Sequence, residues 1–153
     1  MKIVHVKTYQ YSELSDKAKE KAREWYLRGQ DGSFEWESVQ SDAEDVGLIL
    51  EGENHGRMQG AFKSSAEDCA LRVLKNHGET CETYKTAKEF LDSLTKTVAE
   101  EVAEEMEQEF LRSLLEDYRI MYEKEMEYQA SEPVIAETMA VNEYDFLENG
   151  TRF

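Results

Sequence analysis

The stretch TVAEEVAEEMEQEFLRSLLEDYRIMYEKEMEY, from Thr97 to Tyr128, decides the fold class. It holds neither Gly nor Pro, the two residues that most readily interrupt a helix. Val98, Val102, Met106, Phe110, Leu114 and Tyr118 recur every four residues, and Leu111, Leu115 and Tyr122 widen the stripe. That spacing predicts a long amphipathic helix whose apolar side faces a core or another chain. The same stretch carries eleven carboxylates against three basic side chains. Six of them, Glu100, Glu101, Glu104, Glu105, Glu107 and Glu109, fall largely on the side away from the stripe. A solvated helix face explains their spacing but not the scarcity of interspersed Lys and Arg. Glu100 with Glu104, Glu101 with Glu105, Glu105 with Glu109 and Glu123 with Glu127 are like-charge neighbours at i,i+4. Each such pair costs a few tenths of a kcal/mol. The surplus marks this face as a candidate binding surface.

Outward from that helix the pattern stays mostly helical. TCETYKTAKEFLDSLTKTV begins a helix at Thr80, and no stop signal separates it from the acidic stretch. AEDCALRVLKNHG reads as a shorter helix between an N-cap at Ser65 and a stop at Gly78. Pro133 is placed to open another, PVIAETMAVN. Near the start, Ser15 is an N-cap, Leu14 a staple, and Gly29 a stop for a helix with Ala18, Ala22, Trp25 and Tyr26 on one stripe. A second helix follows, with Phe34, Trp36, Val39, Ala43 and Val46 as its apolar positions. Strand signals lie at the two ends. MKIVHVKTY alternates, and EYDFLENGTRF reads as strand, Asn-Gly turn, strand. Gly47 to Ser65 is the least decisive segment; strands at Leu48 to Glu51 and Met58 to Phe62 about a GENHG turn are one reading of it. The expected fold is therefore α+β and largely helical. A small sheet from the N-terminal strand and C-terminal hairpin packs on long C-terminal helices, in a single domain spanning residues 1–153.

Composition bounds the function. With 153 residues, 40% apolar, and two Trp, eight Tyr and six Phe, the chain can bury a core. No apolar run approaches the roughly 18 residues of a membrane span. The N-terminus lacks a signal-peptide pattern, and two Cys suit a reducing cytoplasm. The formal charge is −16. Residues 1–75 carry 14 acidic and 11 basic side chains, a net of −3, whereas residues 76–153 carry 20 and 7, a net of −13. Such a field repels nucleic acid and anionic membranes and attracts basic protein surfaces.

Chemistry-bearing motifs are sparse. Cys69, His77 and Cys81 form C-x7-H-x3-C, residue types that ligate zinc, but the set has three members, no C-x2-C pair and a helix break at Gly78. Two small buried cysteines and a helix-terminal histidine are the simpler reading, so no metal and no cofactor are expected. Cys81 with His77 as nucleophile and base lacks an identifiable third, orienting group. There is no GxGxxG, no Walker pattern and no G-x-S-x-G. No catalytic residue is assigned, and the chain is not expected to be an enzyme.

The opening KTYQYSELSDKAKEKAREWY resembles the start of a family of small acidic bacteriophage and prophage proteins, some labelled antitoxin-like. The likeness reappears in LKNHGETCETYKTAKEFLDSL, in LLEDYRIMYEKEMEYQASEPVIAETMAVNEYDF and in ENGTRF. The middle, HGRMQGAFKSSAEDCA, departs from the Gly- and Ser-rich segment that family members often carry. The resemblance implies a phage setting and action inside an infected host, and supplies no catalytic residues. The expected function is non-catalytic: inhibition of a basic, nucleic-acid-handling host protein, as an anti-CRISPR, anti-restriction or antitoxin-like factor. The expected contacts are the six glutamates named above, then Glu116, Asp117, Glu123, Glu125 and Glu127. Direct binding to nucleic acid or membrane is not expected. The alternatives are a homodimer or other self-associating helical protein joined along the apolar stripe, and a small zinc or Cys/His enzyme.

Overall fold

The N-terminal cap is set by local chemistry. The Ser15 hydroxyl accepts a hydrogen bond from the Ala18 amide at 3.2 Å and opens helix α1, Asp16–Arg28. Helix α2 is Ser33–Asp45, followed by strands β1, Leu48–Asn54, and β2, Arg57–Phe62. Helices α3, Ala66–Asn76, α4, Glu82–Thr95, α5, Glu100–Gln129, and α6, Glu132–Val141, complete the order. The structure, a computed structural model, describes residues 1–97 and 99–153; Val98, the first position of the expected stripe, lies outside the described residues. The fold is largely helical α+β, with one two-stranded antiparallel sheet among the described residues.

That sheet is not where the end segments place it. It is the central hairpin, turning through His55 (φ 52°) and Gly56 (φ 75°), the two left-handed positions of a type I′ turn. A bulge between Leu50 and Gly52 shifts the register. Leu48, Leu50 and Met58 point into the core while Ile49 is exposed, the alternation of a sheet with one wet face. The terminal segments contribute isolated bridges instead: Tyr9 pairs with Phe146, and Phe146 with Arg152. Ile3, Val4 and Val6 remain exposed. The expected N-terminal strand is thus reduced to one bridge, because alternation supplies strand propensity but not a partner. The Asn149–Gly150 turn does form, with the Leu147 amide donating to the Thr151 carbonyl at 2.8 Å.

The chain forms two compact units, residues 1–33 with 125–153, and residues 34–124. In the first, Tyr11, Leu14, Ala18 and Ala22 pack with Ile135, Met139 and Phe146. Trp25 is half-buried there, edge-on to Tyr144 (5.6 Å) and Phe146 (6.1 Å). In the second, α2, the hairpin, α3, α4 and α5 share one core, to which Val39, Val46, Val73, Phe90, Leu114 and Tyr118 contribute. Trp36 is half-buried against Tyr122 at 5.6 Å. Phe34, expected on the apolar side of α2, is 67% exposed, and Glu35 beside it is buried.

The continuous helix expected from Thr80 is two helices. Thr95 Oγ1 donates to the Asp92 carbonyl at 2.8 Å and Thr97 Oγ1 to the Ser93 carbonyl at 3.0 Å. These hydroxyls compete with backbone amides for the last carbonyls of α4 and so favour a terminus. Thr95 and Thr97 are also β-branched and poor in helix propensity.

A carboxylate face on a helical hairpin

Helices α4 and α5 pair side by side in the second unit. Thr86 Oγ1 donates to Asp117 Oδ2 at 2.7 Å, Phe90 stacks on Phe110 at 4.4 Å, and Thr97 Oγ1 contacts Met106 Sδ at 3.3 Å. Contacts that run backward along α4 as they run forward along α5 define an antiparallel hairpin. Phe62 of β2 continues the stack onto Phe110 at 5.6 Å.

The apolar stripe of α5 is consumed by this packing. Phe110, Leu114, Leu115 and Tyr118 are buried and Met106 is half-buried. Of the positions spaced every four residues, Val102 is the only exposed one among the described residues. A step of four advances a helix about 40° past a full turn, so the stripe winds as it ascends and the wet face winds with it.

All six glutamates from Glu100 to Glu109 are exposed, and none forms an ion pair among the described residues. Glu100 and Glu101 occupy the first turn of α5, where the helix dipole favours negative charge. The second group of carboxylates differs. Arg119 clamps Glu116 through two hydrogen bonds of 2.8 and 2.9 Å and reaches Glu123 at 2.9 Å. The same bonds lower the Glu116 pKa and raise that of Arg119. Asp117 is half-buried, and burial raises its pKa against the opposing Thr86 hydrogen bond. Glu125 and Glu127 lie in the first unit, Glu125 half-buried and accepting from Gln129 Nε2 at 3.1 Å, Glu127 exposed. Open carboxylates therefore concentrate in the N-terminal third of α5.

Cys69, His77 and Cys81 have separate environments. Cys69 is buried in the core, and desolvation pushes its thiol pKa up to about 12. Cys81 is exposed at the N-cap of α4. His77 caps α3 and is held in a polar cluster that spacing along the chain does not reveal. Its Nδ1 lies 2.5 Å from Thr83 Oγ1. Its Nε2 lies 3.0 Å from Asp42 Oδ2, an ion-pair distance, but off the line of a good hydrogen bond. Tyr118 donates to the same Asp42 oxygen at 2.7 Å. The nearby ring and the phenol together lower the Asp42 pKa. Among the described residues, no three His, Cys, Asp or Glu side chains are arranged to hold a metal ion, and no helix is long and apolar enough to cross a membrane.

Comparison with protein-family models, curated proteins and solved structures finds no match to this chain.

Proposed function

We propose that this chain is a non-catalytic inhibitor that binds a basic, nucleic-acid-handling host protein through the N-terminal carboxylates of α5. The observation that carries this reading is the set of six exposed glutamates without a cationic partner among the described residues. They repel one another along one helix, so an incoming row of Lys or Arg relieves repulsion as well as adding attraction. The net charge of −16 steers such a partner from a distance. The likeness of the N-terminal segment to phage proteins supports a setting inside an infected bacterium, where defence proteins that grip nucleic acid present basic surfaces. Glu116 and Glu123 are secondary in this reading, because Arg119 already satisfies them.

Self-association along the stripe has less support, since the stripe serves the chain's own core and leaves Val102 as its exposed member among the described residues. The test is competition. Immobilised protein should retain nucleic-acid-binding proteins from a bacterial extract at low salt, release them as salt rises, and displace nucleic acid from them. A variant carrying Glu100→Lys, Glu101→Lys, Glu104→Lys and Glu105→Lys should retain none while keeping its helical circular dichroism. Retention equal to the parent protein, or independent of salt, would reduce the face to a solvated surface.

A further inference from the structure

Between α4 and α5, side chains from Thr86 to Ser93 on one helix and from Met106 to Ser113 on the other line a groove of about 190 Å³. Its floor is Met106 with Phe90 and Phe110, and its rim carries Glu89 from one helix and Glu109 from the other. We propose that this groove is a socket for one arginine side chain of the basic partner. The inference rests on the acidic-face reading and names the anchor within it.

Size comes first. Pockets for small molecules usually run from about 300 to 1,000 Å³, so this groove is scaled to a single long side chain. Chemistry selects which one. An arginine combines an apolar three-carbon stem with a planar cation that has five donors and no acceptor. The floor matches the stem. Phe90 and Phe110 stack at 4.4 Å with ring planes 4° apart, and Phe62 backs Phe110, so the floor is braced by three rings. Met106 completes the floor with an adaptable thioether side chain. The rim matches the fork. Glu89 and Glu109 are exposed and unpaired among the described residues, and the Ser93 and Ser113 hydroxyls add acceptors on each helix. Two carboxylates on facing helices suit a guanidinium that bonds along more than one edge, whereas an ammonium is a point charge. Arginine, with Trp and Tyr, is among the residues enriched at the energetic hot spots of protein interfaces, which sit in well-packed, desolvated pockets.

The experiment labels the methionine methyl groups with carbon-13, assigns Met106 through Met106→Leu, and titrates the protein with octa-arginine, octa-citrulline and octa-lysine peptides. The Met106 resonance should shift saturably with octa-arginine and stay fixed with octa-citrulline. Glu89→Gln, on the helix outside the acidic face, should weaken octa-arginine binding at least threefold. A fixed Met106 resonance, or full affinity in Glu89→Gln while Glu101→Gln is weakened, would overturn the socket and leave the acidic face standing. Full affinity in both variants would overturn both. Octa-lysine that shifts Met106 with equal affinity would overturn the assignment to a guanidinium.

Discussion

The two cysteines show how much a residue's neighbours decide. Their thiols are separated by burial rather than by sequence context: Cys69 sits among core residues with its pKa raised to about 12, and Cys81 is exposed at a helix start. Reactivity follows thiolate fraction and access. Native protein should therefore react with a thiol-specific chromogenic disulfide at one equivalent per chain, and Cys81→Ser should abolish that fast phase. Two fast equivalents would mean that Cys69 is accessible. Gly150 is a second case. Its φ is +90°, and a Cβ there would lie 2.1 Å from the Ala18 carbonyl oxygen. Gly150→Ala combines left-handed strain with a clash against backbone, so urea denaturation should report a loss of at least about 2 kcal/mol. The Asn-Gly turn was legible in the sequence, but the close approach to α1 was not, since nothing local encodes which backbone a turn will meet. His77 was likewise visible as a helix-terminal residue, while its Asp42, Thr83 and Tyr118 neighbours come from three other helices.

At the scale of elements, the helices and their caps at Ser15 and Ser65 could be read from spacing and side-chain chemistry, because both act within one or two turns. The sheet could not. MKIVHVKTY has the better alternation, yet the strands form in the segment with the less decisive pattern, where His55 and Gly56 supply a two-residue turn that holds both strands together. The break between α4 and α5 carries neither Gly nor Pro, and the two threonine hydroxyls that favour it show their role only once they meet the Asp92 and Ser93 carbonyls. That α4–α5 pairing has a pH signature. Burial raises the Asp117 pKa, so the folded protein keeps that proton to a higher pH than the unfolded chain does. Its contribution to stability is fully present below the unfolded value of about 3.9 and is lost as pH rises through the raised folded value. Asp42 has the opposite sign: its folded pKa is lowered, so its contribution is present above about 3.9 and lost as pH falls through the folded value. Asp117→Asn should flatten the decline on the alkaline side of about pH 3.9 without changing the acid limb, and Asp42→Asn should flatten the acid limb. Urea midpoints measured across both windows check the two signs separately.

For the whole molecule, charge is the property most legible in the sequence and least informative about architecture. The imbalance between the halves of the chain was countable, but which carboxylates stay open depended on Arg119, whose clamp on Glu116 and Glu123 follows from side-chain geometry on α5. A net charge of −16 also acts on folding, since like charges held together oppose the compact state. Glu105 is the position where this is most easily tested. It is exposed and has Glu101 four residues before it and Glu109 four residues after it. Glu105→Lys turns two repulsive pairs into two attractive ones and lowers the net charge to −14, from −16. Each pair is worth about 0.2–0.5 kcal/mol in either direction, so the variant should gain roughly 1 kcal/mol at low ionic strength. Added salt should raise the stability of the parent protein and narrow the gap between the two, because screening removes the repulsion that the substitution relieves. If Glu105→Lys is no more stable than its parent at low salt, repulsion along the face is not a cost to the fold. The relief of that repulsion then also fails as a driving force for a basic partner, which would have to be held by attraction alone.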